Sequence, residues 1–216
     1  HNLFEDNGIK FFNKNGQKFS EELEKRIEVK LTEEMVPVDS INLGKATRMS
    51  DAQERYIEFC KLPFTDLDLS GLNILLDCAN GATYSVAPKV FTELGASIEA
   101  VAASPDGINI NQNCGSTNPD FLKDQMSKGN YDMGIAFDGD GDRILIISSQ
   151  GIILDGDDIL FILSQKMPPN SGVVGTLMTN KALELHFQKN NIDFQRADVG
   201  DKYVLNELVN NEWLLG

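Results

Sequence analysis

Asp138-Gly139-Asp140-Gly141-Asp142-Arg143 decides the reading of this chain. Its three carboxylates fall at every second position, and an alternating backbone sends alternate side chains to one side. Gly139 and Gly141 let the main chain curl closely around an ion. Mg²⁺ takes oxygen ligands and binds few protein carboxylates beside a substrate phosphate, so Asp138, Asp140 and Asp142 are the candidate metal ligands. Arg143 adds a planar fork of donors for a phosphate held beside that metal. The apolar runs Gly134-Ile135-Ala136-Phe137 and Ile144-Leu145-Ile146-Ile147 predict a strand on either side of the loop. Acidic, Gly-rich turns are also common as plain surface. An EF-hand is excluded, because Ser149 stands at the twelfth loop position where a bidentate Glu is required, and the flanks are not helical.

Outward from the loop, strands and helices alternate. Upstream, the pattern predicts a strand at Asn73–Asp77, a helix over 86–94 stopped by Gly95, and a strand over 98–102. Asn118-Pro119 then reads as an N-cap and first helical residue of a helix ending near Gly129. The strand Met133–Phe137 delivers the Asp loop at its C-terminal end, where open α/β sheets place ligands. Residues 144–147 and 152–154 read as a hairpin around Gln150-Gly151. A second alternation predicts helices over 157–166, Lys181–Lys189 and 202–209 and strands over 173–177 and 194–199, with Pro168-Pro169-Asn170 as a loop. Two α/β units follow, with a seam near 148–156. Ahead of them come a turn at Asn7-Gly8, a strand over 9–12, and a helix capped by Ser20 with Leu23, Ile27 and Leu31 on one face. Asn42-Leu43-Gly44-Lys45 is a connector, and Ser50-x-x-Gln53 resembles a capping box opening a helix that runs to about Lys61.

The composition, 41% hydrophobic and 24% charged over 216 residues, is that of a globular chain with a substantial core. No apolar run is long enough to cross a membrane, and no signal-peptide pattern opens the chain. With 19 basic against 33 acidic residues the net charge is −14, which argues against a nucleic-acid partner. An anionic sugar remains compatible, provided Arg, Lys and backbone N–H groups are concentrated locally. Cys60, Cys78 and Cys114 contain no CxxC pair and suit reduced thiols in the cytoplasm, packed in or near the core. The start at His1 and the apolar, strand-like finish at Trp213-Leu214-Leu215-Gly216 are read as cuts within a longer protein.

The chain resembles the α-D-phosphohexomutase superfamily, and within it the glucosamine-phosphate branch, over essentially its whole length. Five segments carry this in order besides the Asp138–Arg143 loop: His1-Asn2 with Asn7 to Phe12, Asp77-Cys78-Ala79-Asn80-Gly81-Ala82, Gly107-Ile108-Asn109-Ile110-Asn111, Cys114-Gly115-Ser116-Thr117, and Val199-Gly200-Asp201-Lys202-Tyr203-Val204. The resemblance implies two consecutive α/β domains with mixed sheets, preceded by the tail of a first such domain: residues 1–50, 51–150 with the metal loop, and 151–216. It implies that Asp138, Asp140 and Asp142 bind Mg²⁺, that Arg143 holds the transferring phosphate, that Lys10 is the general base or acid, and that His1 lies beside a phosphoserine. A lysine accepts a proton only when its pKa is lowered, which a cation such as Arg143 or His1 would do; without the resemblance Lys10 reads as an ordinary solvated lysine. The implied reaction interconverts glucosamine 6-phosphate and glucosamine 1-phosphate through a bisphosphate, toward amino-sugar nucleotides. The resemblance also admits a homodimer.

Departures from the family pattern bear on activity. The phosphorylated serine would stand just before His1, and the Glu-x-Ser-Gly-His loop and the phosphate-binding domain would follow Gly216, so the 216 residues alone are expected to be inactive. Leu3 stands where proline is usual, and Lys202 replaces an arginine, keeping charge but losing the fork. Two other classes compete. Ile135 to Asp140 also resembles the Asp-x-Asp signature of haloacid-dehalogenase-type phosphatases, with Asp138 as nucleophile, although Asp142 stands where that family has Thr or Val. The other is a non-catalytic module that binds Mg²⁺ and phosphate. A dinucleotide-binding fold is excluded, since Asp77 to Gly81 replaces any GxGxxG after the first strand; it reads as a supporting turn. Asp155-Gly156-Asp157-Asp158 reads as a helix N-terminus.

Overall fold

A computed structural model describes residues 2–6, 8, 10–168 and 171–216. The larger sheet is built from β1 (Asn73–Asp77), β2 (Ser97–Val101), β3 (Met133–Phe137), β4 (Ile144–Ser148) and β5 (Ile153–Leu154). Its order is β2-β1-β3-β4-β5. The first three strands run parallel, and β4 and β5 turn back antiparallel, so the sheet is mixed. The central strands are apolar because both their faces are covered. Ile74, Leu76 and Ile135 pack with Cys78 and Ala87 on one face, while Leu75, Ala136 and Ile147 pack against Leu122 on the other.

Four helices precede or cover this sheet: α1 (Glu21–Leu31), α2 (Ala52–Lys61), α3 (Ala87–Glu93) and α4 (Pro119–Met126). Gly95 closes α3 as expected, with φ of 103° and its N–H donated to the Thr92 carbonyl. Beyond β5 come α5 (Gly156–Ser164), β6 (Val173–Thr176), α6 (Lys181–Lys189), β7 (Phe194–Ala197) and α7 (Asp201–Asn211). Strands β6 and β7 form a separate parallel pair over a core of Val173, Leu183, Phe187 and Leu215.

Several expectations need correction. No regular strand forms at Lys10 to Phe12: Phe12 makes one isolated bridge to Lys18 across a turn closed by Asn13, and among the described residues no further strand pairs with it. Ile9, Asn7, Pro169 and Asn170 lie outside the described residues. Ser50 and Gln53 form no capping box. The helix starts one residue later, after Asp51, because the Gln53 amide is used elsewhere, donating to the Ser85 carbonyl at 2.8 Å. The Trp213 to Gly216 segment is likewise a single bridge, Leu215 to Val173, because only one residue comes into register with the sheet. Ser20 does cap α1, accepting from Leu23 N–H, but Val29 and Leu31 on that helix are exposed. The acidic cluster at 155–158 is a full capping box on α5.

Candidate active site

The acidic loop is the turn of the β3–β4 hairpin. Phe137 pairs with Ile144, so the six residues between them must leave and return within one strand spacing. Gly141, at φ 76°, supplies the left-handed step, and its N–H donates to the Asp138 carbonyl at 3.0 Å. Asp138 is fully buried, and its Oδ1 accepts the Arg143 N–H at 3.0 Å. Asp140 and Asp142 stand half-exposed at the mouth. One carboxylate oxygen from each of the three lies within 4.8 Å of the others. That is a donor set of hard oxygens of the kind a divalent cation takes.

A second turn props this loop from below. Asp77 is buried at the end of β1, where its Oδ1 accepts the Ala79 N–H at 2.9 Å and its Oδ2 accepts the Gly115 N–H at 2.6 Å. Burial pushes its carboxyl above the ordinary value, against the pull of those two N–H groups. The turn it holds passes through left-handed Ala79 and Asn80, and Ala82 N–H then donates to the Gly139 carbonyl at 2.8 Å. A Cβ on Gly81 would sit 2.1 Å from that carbonyl oxygen, so only glycine fits. The segment read from sequence as a supporting turn is therefore the second wall of the site.

Lys10 completes the mouth. Its ammonium donates to Asp140 Oδ2 at 2.6 Å and to Asp142 Oδ2 at 2.9 Å. These hydrogen bonds, Asp140 first, raise the Lys10 pKa well above the ordinary lysine value, and the same contact lowers that of Asp140. The expected lowering by Arg143 or His1 is thus reversed, because the nearest charges to Lys10 are carboxylates. His1 lies outside the described residues. Arg143 folds back over the loop, with Nε 4.0 Å from both Asp138 Oδ2 and Asp142 Oδ1, and stays half-exposed.

Lys10, Asp140 and Asp142 open into a cleft of about 710 Å³, bordered also by Asn2, Tyr84 and Asn109. A wider cleft of about 970 Å³ lies away from the loop, between residues 12–23 and α7, where Lys18 is paired to Asp201. Cys78 and Cys114 are buried with their thiols pushed up to about 11 by burial, and Cys60 is half-buried; all three are free. Packing rather than nucleophilic chemistry is what such thiols offer. Sequence reasoning missed Asn111, buried against Gly139 and bonded to Asn2; its one signal was membership in the Gly107-to-Asn111 segment. Among the described residues no helix is long and apolar enough to cross a membrane.

Three family models match consecutive parts of the chain. They are the α/β/α domains I, II and III of phosphoglucomutase/phosphomannomutase, at residues 1–36, 54–151 and 155–216. Over all of this chain, the phosphoglucosamine mutase of Pseudomonas entomophila (strain L48) is 51% identical, and that of Methylobacillus flagellatus 52% identical. The chain covers 50% and 49% of those proteins, so it spans about half the length of the curated relatives it matches. A solved phosphoglucomutase/phosphomannomutase family protein from Burkholderia thailandensis superposes with a TM-score of 0.62 at 22% identity. That match covers 74% of this chain and 36% of the other, and it speaks for the fold.

Proposed function

Because this chain belongs to the phosphoglucomutase/phosphomannomutase family, we propose that the full-length protein carrying it interconverts glucosamine 6-phosphate and glucosamine 1-phosphate. The reaction is phosphoryl transfer at the Asp138–Arg143 loop. The single observation that carries this is the convergence of three carboxylate oxygens, all within 4.8 Å, with the Lys10 ammonium at their mouth. Residues 1–50, 51–150 and 151–216 are assigned to the first, second and third domains of that protein.

The residues fit Mg²⁺. Their donors are all oxygen, one from each of Asp138, Asp140 and Asp142 within 4.8 Å of the others, and the glycines between them let Asn111, Ile110 and Thr83 close in around the loop. Asp138, Asp140 and Asp142 would hold the ion, which when bound neutralises charge on a phosphoryl group. Arg143 is assigned to a phosphate oxygen, where its fork matches the anion's geometry. Lys10, facing the cleft and held protonated by Asp140 and Asp142, is assigned the donor's side of proton transfer at the sugar oxygen rather than the base's, and His1 a place beside a phosphorylated serine in the segment leading into it. Charge neutralisation and in-line placement are what phosphoryl transfer chiefly requires. The three free cysteines accord with a cytoplasmic location.

The test is a ³¹P NMR assay of the full-length protein with glucosamine 6-phosphate, and with glucose and mannose phosphates as comparators. The reading expects isomerisation of the amino sugar, stopped by EDTA and restored by Mg²⁺. Preference for another hexose would overturn the substrate, and no isomerisation at all would overturn the activity. The phosphatase alternative makes Asp138 a nucleophile, yet Asp138 is fully buried; a trapped aspartyl-phosphate at Asp138 would favour it over the mutase.

A further inference from the structure

Asn111 is 6% exposed, adopts a left-handed φ of 56°, makes two hydrogen bonds and packs against a third segment. Its backbone N–H donates to the Ala79 carbonyl at 2.8 Å, fixing it to the turn beneath the site. Its side-chain Nδ2 donates to the Asn2 carbonyl at 2.7 Å, joining segments 109 residues apart. A Cβ on Gly139 would lie 2.6 Å from that same Nδ2, so the amide touches the acidic loop as well as the N-terminal segment. The Oδ1 atom is buried and has no hydrogen-bond partner among the described residues. A buried acceptor left unpaired is unfavourable, so the side chain's presence here calls for an explanation, which the amide's other end supplies.

We infer that Asn111 is a positioning residue: it clamps the main chain at Asn2 onto the Gly139 turn, holding the segment that enters at residue 2 in register with Asp138, Asp140 and Asp142. Asparagine suits the task because it tolerates the left-handed backbone and presents a short, rigid donor. Aspartate would keep the size and lose the donor; glycine would keep the backbone and lose the clamp altogether. The inference rests on the reading of the Asp loop as a phosphoryl-transfer metal site, since only there does register between the two segments govern turnover.

The full-length protein is compared with Asn111→Gly and Asn111→Asp. Hydrogen exchange in peptides covering residues 2–12, where Asp6 N–H bonds to the Leu3 carbonyl, is expected to quicken in both variants. The Mg²⁺ dissociation constant is expected to stay within about twofold of the parent, because no ligand is removed. Mutase kcat is expected to fall about tenfold or more with KM for the sugar phosphate unchanged, the signature of lost alignment rather than lost binding. Unchanged exchange in both variants would overturn the clamp. Weakened Mg²⁺ binding, or a loss confined to KM, would overturn the positioning role and leave Asn111 as support for the loop. If the parent protein isomerises no glucosamine phosphate, the proposed function fails while the exchange comparison still decides the clamp.

Discussion

The Lys10 ammonium sits 2.6 Å from Asp140 Oδ2 and 2.9 Å from Asp142 Oδ2, bridging two of the three carboxylates that face one another in the acidic loop. Two of the three candidate ligands are thus engaged by a cation of the chain itself. Both partners are about half exposed, so each ion pair is weak, on the order of 0.2–1 kcal/mol. A divalent cation should displace such a lysine easily. Removing the competitor should then help the metal. Lys10→Met is expected to tighten Mg²⁺ binding by about two- to tenfold while abolishing turnover in the full-length protein. Calorimetric titration checks it; unchanged or weaker affinity would mean the lysine does not compete.

Asp140→Asn should act in the opposite direction. It removes the charge from one of three candidate ligands and is expected to weaken Mg²⁺ binding by about tenfold or more. Since Asp140 is half-exposed, folding stability should move by no more than about 0.5 kcal/mol. Identical isotherms for the two proteins would dispose of the metal site as drawn.

Much of this site was legible in the sequence because its chemistry is local. Asp138 to Arg143 is one contiguous hairpin turn, and the apolar runs around it specified β3 and β4 with their period and length. Asp155, capping the helix that follows, was readable for the same reason. What escaped depends on long-range contact. The Lys10 pair spans 130 residues, and Asn111 to Asn2 spans 109. No spacing rule foretells that Gln53 donates to Ser85 rather than capping its own helix. The pKa direction of Lys10 was misjudged for the same cause, since it turns on which charges the fold brings nearest.

The close approach of the two turns makes Gly81 a sharper test than any charged residue. An added Cβ would fall 2.1 Å from the Gly139 carbonyl oxygen and 2.5 Å from its Cα, both main-chain atoms that cannot swing aside. Gly81→Ala must push the acidic loop off the Asp77 turn and break the Ala82–Gly139 hydrogen bond. Urea unfolding should show a loss of about 1–3 kcal/mol, and Mg²⁺ binding should weaken with it. Retained affinity at reduced stability would show that the acidic loop keeps its shape without that support.

In the second unit, Glu184 on α6 takes two nitrogens of Arg196 on β7, Nε at 2.9 Å and an Nη at 2.8 Å, while Arg196 also donates to the Thr176 and Thr179 carbonyls. Lys181 pairs with the same carboxylate. These partners, Lys181 first, hold the Glu184 pKa below the ordinary 4.5. A carboxylate depressed by folding contributes stability that is complete above its unfolded value and is lost as pH falls through the folded one. Glu184→Gln keeps the shape and removes the charge. Its melting temperature should lie below that of the parent at pH 7, and the gap should narrow as pH falls below the unfolded value of 4.5 and through the lower folded one, where the parent glutamate takes up its proton. A gap that stays the same size at every pH down to acid unfolding would assign the effect to packing rather than to charge.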